Sequence, residues 1–375
     1  MKTDSFKNFS YVAIGRTVAA GLQGIFYLVF AYLLSPDIYG QMSYLIAIAG
    51  TASIISRFGL PFSATVTLAK QNQNMGNQLN VLLLITTVAA SIVLLFINIF
   101  SALLCLSLSF FIMTQHNLLG TKEYKKFGLN EIVKCILIII IPISLYFVFD
   151  LPGVILGMAF SNIIVSINWL KSIKRHVFSF KDVKKRYKTL IHNFGLDSSL
   201  NLTKVVDKIV TVPLVGFAMT GIYQFNLQIL LFMEILPHAL HSFLLSEASQ
   251  ENKHKKLIYL ALIGSGLVSL MAILFAPLVI ELIFPKYQDG VLGLQIMAIS
   301  LIPLTISAIF NARLQAMEST KIGYSVIVRI GSLLSLIVIL AEPYGLLGLG
   351  LAVLISILLN TLFVTLLYYK LDKRN

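Results

Sequence analysis

Apolar runs long enough to cross a bilayer recur along the whole chain, separated by short clusters of charged residues, Pro and Gly. Bounded by those clusters, the pattern predicts helices over 9–34, 40–69, 79–98, 101–120, 129–149 and 152–170. A second set follows over 190–216, 219–246, 255–284, 289–315, 321–341 and 343–369. At about 30 residues per span and connection, a chain of 375 residues accommodates roughly twelve passes and no large soluble domain. The expected class is an all-α integral membrane protein with about 12 transmembrane helices in two parallel six-helix lobes. Its expected organisation is an N-terminal lobe at 1–170, a basic cytoplasmic linker at 171–189 and a C-terminal lobe at 190–375. The first apolar run is too long for a signal peptide and lacks a small-residue cleavage site, so it is expected to stay as an anchor.

Composition agrees with the pattern. Apolar residues make up 57% and charged residues 12%, with a mean hydropathy of +0.87, which excludes both a water-soluble globule and a disordered chain. The net charge of +13 is read first as topology, since Lys and Arg near spans are retained in the cytoplasm. With the N-terminus inside, 22 of the 29 basic residues fall in cytoplasmic segments and only Lys286 in an outer loop. Both termini are therefore expected in the cytoplasm of a cell (inner or plasma) membrane. The linker KSIKRHVFSFKDVKKRYKTL, 171–190, acts either as a positive-inside determinant alone or also as a surface attracted to anionic lipid head groups. No recognition motif or aromatic platform accompanies its charge, so nucleic acid is not an expected partner. Trp169 beside it reads as an interface anchor. Cys105 and Cys135 lie in apolar runs without the spacing of a disulfide framework or metal knuckle.

The two sets of spans repeat. GTKEYKKFGLNEIVK, from Gly120, aligns with QAMESTKIGYSVIVR, from Gln315, at an offset of 195, superposing Glu123 on Glu318, Lys126 on Lys321, Gly128 on Gly323 and Lys134 on Arg329. LLSPDIYGQ and FAMTGIYQF match Ile38 and Tyr39 to Ile222 and Tyr223 at an offset of 184. Six spans is an even number, so both halves enter the bilayer in the same direction. Parallel halves of this kind place a substrate site at their interface and alternate access by rocking.

Ionisable residues at membrane depth are costly, by about 2.5–3.5 kcal/mol each on insertion scales, and mark cavities or partners. In the seventh span, Asn201, Lys204 and Lys208 are spaced to share a helical face, with Asp207 beside them. Arg16 and Gln23 lie seven residues apart in the first span, and the 184 offset sets Gln23 opposite Asp207. Arg57, Lys134 and Arg329 complete the intramembrane cations, and Glu131 lies within reach of Lys134. Arg57 and Arg329 have no acidic neighbour at helical spacing. Basic residues outnumber acidic ones here, which favours an anion such as phosphate or pyrophosphate. In the eighth span Glu234, His238 and His241 share a face that suits proton coupling; without a fourth ligand, and with Pro237 in the run, a metal site is not expected. Gly153 and Gly157 form a GxxxG helix-packing motif. No P-loop, GxSxG or HExxH is present, and neither an enzyme nor a cofactor is expected.

Three segments resemble a known family. LLSPDIYGQMSYL, LVGFAMTGIYQFNLQI and LFAPLVIELIFPKYQDGVLGLQIMA are similar to segments of the polysaccharide or O-antigen flippase (Wzx-like) branch of the multidrug/oligosaccharidyl-lipid/polysaccharide (MOP) exporter superfamily. VVDKIVTVPLVG, around Asp207, resembles the polar position of that family's seventh span. The resemblance implies translocation of a polyprenyl-pyrophosphate-linked oligosaccharide to the outer leaflet, with membrane lipids and other polysaccharide-assembly proteins as partners. The competing implication is an ion-coupled multidrug exporter, for which intramembrane carboxylates should outnumber cations. A membrane-embedded glycosyltransferase or polymerase is the remaining competitor, and the short outer loops leave it little room.

Overall fold

The computed structural model describes residues 2–173, 180–246, 255–317 and 319–372, and every regular element among them is helical. The first half contains α1 (Lys2–Leu33), α2 (Pro36–Arg57), α3 (Leu60–Ala69), α4 (Gln73–Leu95), α5 (Ile99–Gly120) and α6 (Tyr124–Ser172). Then come α7 (Lys181–Lys185), α8 (Tyr187–Asn201), α9 (Val206–Met233), α10 (Ile235–Ser246), α11 (Lys255–Ile283), α12 (Val291–Ile299), α13 (Leu301–Ala316) and α14 (Gly323–Asp372).

Nine helical stretches among the described residues are long and apolar enough to cross a membrane. Three helices contain an internal break with positive φ, at Asp150 in α6 (φ 51°), Gly216 in α9 (φ 79°) and Gly345 in α14 (φ 54°). An unbroken helix of 49 residues would run about 74 Å, more than twice the roughly 30 Å of a hydrocarbon core. Each of the three folds back instead. A Cβ on Gly153 would lie 2.1 Å from the carbonyl oxygen of Leu145, and one on Gly157 would lie 2.5 Å from the Cα of Pro142, so the two legs of α6 touch backbone to backbone. In α9 the Tyr223 hydroxyl reaches Asp207, sixteen residues earlier, at 3.0 Å. Splitting these nine stretches at the three breaks gives twelve helical segments, the number of spans predicted. The predicted ends at 149/152, 216/219 and 341/343 fall within a few residues of these turns.

The 195 offset reappears as geometry. Gly153 packs on the Leu145 oxygen with Phe149 Cβ at 3.1 Å, and Gly348 packs on the Leu340 oxygen with Tyr344 Cβ at 3.0 Å. The turn residues Asp150 and Gly345 stand at the same separation. Gly153 and Gly157 thus act in packing, allowing the close approach that helices in lipid use. The earlier repeat behaves differently. A Cβ on Gly40 would meet the Phe217 oxygen and one on Gly221 the Pro36 oxygen, both at 1.9 Å, which equates Pro36 with Phe217 and Gly40 with Gly221 at an offset of 181 rather than 184.

Alternation of direction is visible in side-chain pairs. Ser101 donates to the Leu45 oxygen and Ser53 meets Ser109, both 56 residues apart, so α2 and α5 run parallel. Arg16 over Phe127 and Lys134 on Gln23 both differ by 111, so α1 and the first leg of α6 are parallel too.

By internal contacts the chain forms two compact units, Met1–Phe26 with Tyr44–Val206, and Tyr27–Ser43 with Asp207–Asn375. The packing division falls at Val206/Asp207, inside the seventh span, where the linker-based reading places the start of the second lobe at 190. The reason is that α8 packs on α3, and its Leu190, with Val183 of α7, enters the first unit's core of Leu60, Leu79, Leu83, Phe110, Met113 and Trp169. Trp169 is 5% exposed, tilted against Phe110 and donating to Asn80 at 3.2 Å, so it is a core residue and not an interface anchor. The second unit's core gathers Tyr223, Leu230, Met297, Ile337, Leu349, Val353 and Ile357.

Two predicted spans are interrupted. The span at 40–69 breaks at Phe58 (φ 43°) and Gly59 (φ 70°), with Pro61 in the first turn of α3. The span at 190–216 breaks between α8 and α9, where Leu202–Lys204 form one 3-10 turn. Between α5 and α6, Glu123 accepts hydrogen bonds from Lys126 and from Thr121, and these hold its carboxyl below the usual range; its repeat partner Glu318 lies outside the described residues.

Candidate functional site

Each unit carries its own cluster of buried polar groups. In the first, the helix break at Phe58–Gly59 positions Arg57. Gly59 has no Cβ to keep α8 away; one would lie 2.4 Å from the Phe194 nitrogen, and Phe58 stacks on Phe194 at 4.9 Å. This close approach brings Asp197 to Arg57. The guanidinium donates through Nε to Asp197 Oδ2 and through Nη2 to Oδ1, each at 3.2 Å, while Nη1 donates to Ser53 Oγ at 3.0 Å. Arg57 is 4% and Asp197 1% exposed, so the pair is desolvated and bidentate. Asn201 joins it, donating to Asp197 Oδ1 at 2.8 Å. Asp197 is the partner that the sequence reading lacked for Arg57.

The same unit holds Arg16, Gln23 and Lys134. Gly15 crosses Gly128 so closely that a Cβ would lie 2.5 Å from its Cα. The crossing sets Arg16 over the Phe127 ring at 5.4 Å and, two turns further on, Lys134 Nζ against Gln23 Oε1 at 2.9 Å and over the Phe111 ring at 5.3 Å. Glu131 lies in the same neighbourhood, electrostatically coupled to Lys134 and Arg16.

In the second unit, Asp207 and Lys208 open α9. Lys208 Nζ sits 3.0 Å from Asp207 Oδ1, and the Tyr223 hydroxyl donates to Oδ2 at 3.0 Å. Both side chains are buried. Arg329 acts electrostatically on this group, in reach of Asp207, Tyr223 and Glu234. Glu234 sits at the junction of α9 and α10, 3.5 Å from His238 Nε2, and His241 adjoins His238. Among the described residues, no three His, Cys, Asp or Glu side chains form a metal-holding group.

The predicted span that carries Asn201, Lys204 and Lys208 is interrupted between the first and the last of them. A 3-10 turn at Leu202–Lys204 separates α8 from α9; Asn201 donates to Asp197 in the first unit and Lys208 pairs with Asp207 in the second. The Lys204 side chain lies outside the described residues. Gln23 is brought together with Lys134. Tyr223 stands in the sequence only as the repeat match of Tyr39; its contact with Asp207 depends on the fold-back at Gly216, which helical spacing does not reveal.

No protein-family model matches the chain. An uncharacterized membrane protein of Methanocaldococcus jannaschii is 26% identical over 393 aligned positions, covering 93% of this chain and 94% of that protein. Among solved structures, the lipid II flippase MurJ in an inward closed conformation is similar with a TM-score of 0.73 at 17% identity, over 94% of this chain and 86% of that one. A MATE transporter of Vibrio cholerae has a TM-score of 0.58 at 16% identity over 100% and 99% of the two chains. A MOP superfamily transporter from Pyrococcus furiosus has a TM-score of 0.59 at 14% identity over 98% and 96%. The chain has the multi-pass, all-helical fold of these membrane transporters.

Proposed function

We propose that the chain is a flippase for polyprenyl-pyrophosphate-linked oligosaccharides, moving them from the cytoplasmic to the outer leaflet by exposing a cationic site alternately to each side. One observation carries this reading. Once Arg57 is assigned to Asp197 and Lys208 to Asp207, the intramembrane cations Arg16, Lys134 and Arg329 remain with no salt bridge among the described residues. Cations in that position are met by an anion, and a pyrophosphate offers oxygens for charge-assisted bonds from guanidinium forks. Arg57, Asn201 and Lys208, occupied by their own partners, serve this reading as supports, whereas Lys204 stays with the binding group. The fold shared with a lipid II flippase supports a lipid-linked substrate.

The test follows exposure of a labelled polyprenyl-pyrophosphate oligosaccharide on the far face of proteoliposomes. Arg16→Gln, Lys134→Gln and Arg329→Gln, at matched protein levels, should each lower head-group affinity about tenfold to a hundredfold, the effect of losing a bond of about 1.5–3 kcal/mol. Wild-type binding and flipping in all three would overturn the reading; export of cationic drugs instead would assign the chain to the multidrug class. Coupling, in this reading, involves Glu234, His238 and His241. Glu234→Gln should abolish any dependence of flipping on a pH gradient, and a gradient response identical to wild type would remove the group from the coupling role.

A further inference from the structure

The part of the basic segment at 180–190 is fastened to the first unit. Val183 and Leu190 are 3% and 7% exposed within the cluster that holds Trp169, and Gln78 donates to Asp182 at 3.3 Å. With that side turned inward, Lys184, Lys185, Arg186 and Lys188 are all exposed. Tyr187 and Ile191, one turn apart on α8, are 55% and 53% exposed among them. A positive-inside determinant needs only cations in a loop. It does not need them fixed on a short amphipathic element, interleaved with an aromatic and an aliphatic side chain. That combination suits a segment lying in the plane of a membrane surface, with cations among phosphates and apolar groups at the acyl boundary.

We propose that α7 and the first turns of α8 form a docking surface for anionic phospholipid head groups of the cytoplasmic leaflet. Charge complementarity selects this occupant, with a gain of about fivefold in association per basic residue near an anionic surface. The surface has a route into the protein, because α8 also carries Asn193, which donates to Ser63 at 2.8 Å, and Asp197, which holds Arg57. This inference stands independently of the substrate assigned above.

The test uses the full chain in nanodiscs containing phosphatidylcholine with phosphatidylglycerol, and measures relative lipid association with spin-labelled probes. The wild type should prefer phosphatidylglycerol, and the fourfold variant Lys184→Gln, Lys185→Gln, Arg186→Gln, Lys188→Gln should lose about tenfold or more of that preference. A matched variant with the three lysines replaced by arginine should keep it. Trp169, the sole tryptophan, sits in the cluster with Val183 and Leu190, so its unchanged emission certifies that the segment remains fastened. Equal association of both lipids with the wild type would overturn the proposal, as would a preference unaltered in the fourfold variant. Protection of α7 that requires a second copy of the chain in the disc would instead assign the surface to self-association and overturn it as well.

Discussion

Arg57 shows how a single residue's role depends on a partner that is distant in sequence. As an isolated intramembrane cation it is a natural candidate ligand for phosphate, yet Asp197, 140 residues later, engages both of its forks. Breaking a buried pair leaves a bare charge, which costs far more than exchanging the pair for neutral groups. Asp197→Asn and Arg57→Gln should therefore each destabilise the protein by about 3–5 kcal/mol, and the double variant should recover much of the loss. Denaturant unfolding in detergent micelles gives the double-mutant cycle. Additive losses would mean that the two residues act separately. At the same scale, the acidic residue was present in the sequence inside the seventh span, but helical spacing relates only residues three or four apart, and this pair is made by tertiary packing.

At the scale of elements, hairpin geometry rests on single glycines. Gly153→Val and Gly348→Val would each place a Cβ about 2 Å from a backbone oxygen, at 2.1 Å and 1.9 Å respectively, and should destabilise by about 3 kcal/mol or more, because backbone cannot yield as a side chain can. Gly331→Ala, in the same helix as Gly348 but with open space around it, should be neutral or stabilise by about 0.5–1 kcal/mol. Thermal unfolding of the three variants separates packing from helix propensity, and equal losses at Gly348 and Gly331 would contradict the hairpin contact. Most of the span pattern was legible because hydrophobic length and turn residues are local: Asp150 and Gly345 lie close to predicted span ends. The break at Phe58–Gly59 was signalled by Gly59 and Pro61 but lost in a continuous apolar run. The break at 202–205 had no local signal, since Asn, Thr and β-branched residues occur within helices as well as at their ends. The clusters were less legible than the spans. Sequence reading found the cations, and only packing revealed which of them already have carboxylate partners.

At the scale of the whole molecule, the distribution of charge and the pairing of helices make the same topological statement by different physics. On the topology predicted from the sequence, basic residues sort 22 to one between the two sides, a bias that acts during insertion. Parallel contacts between α1 and α6 and between α2 and α5 are properties of the folded state, and they require an even number of crossings between the starts of each pair. The two α6 legs turn at Asp150, so within the first unit this tip lies at the opposite end of the legs from the basic segment of α7; the two α14 legs turn in the same way at Gly345 within the second unit. Cysteine accessibility tests this directly, with Cys105 and Cys135, both buried, first replaced by Ala. Asp150→Cys and Asp289→Cys should react with a membrane-impermeant maleimide added outside intact cells. Lys185→Cys should react only after permeabilisation. Labelling of Lys185→Cys from outside would invert the topology and with it the proposed direction of transport. Labelling of Asp150→Cys only after permeabilisation, with Asp289→Cys still labelled from outside, would mean that the fold-back of α6 does not cross the bilayer, and the count of twelve passes would fail.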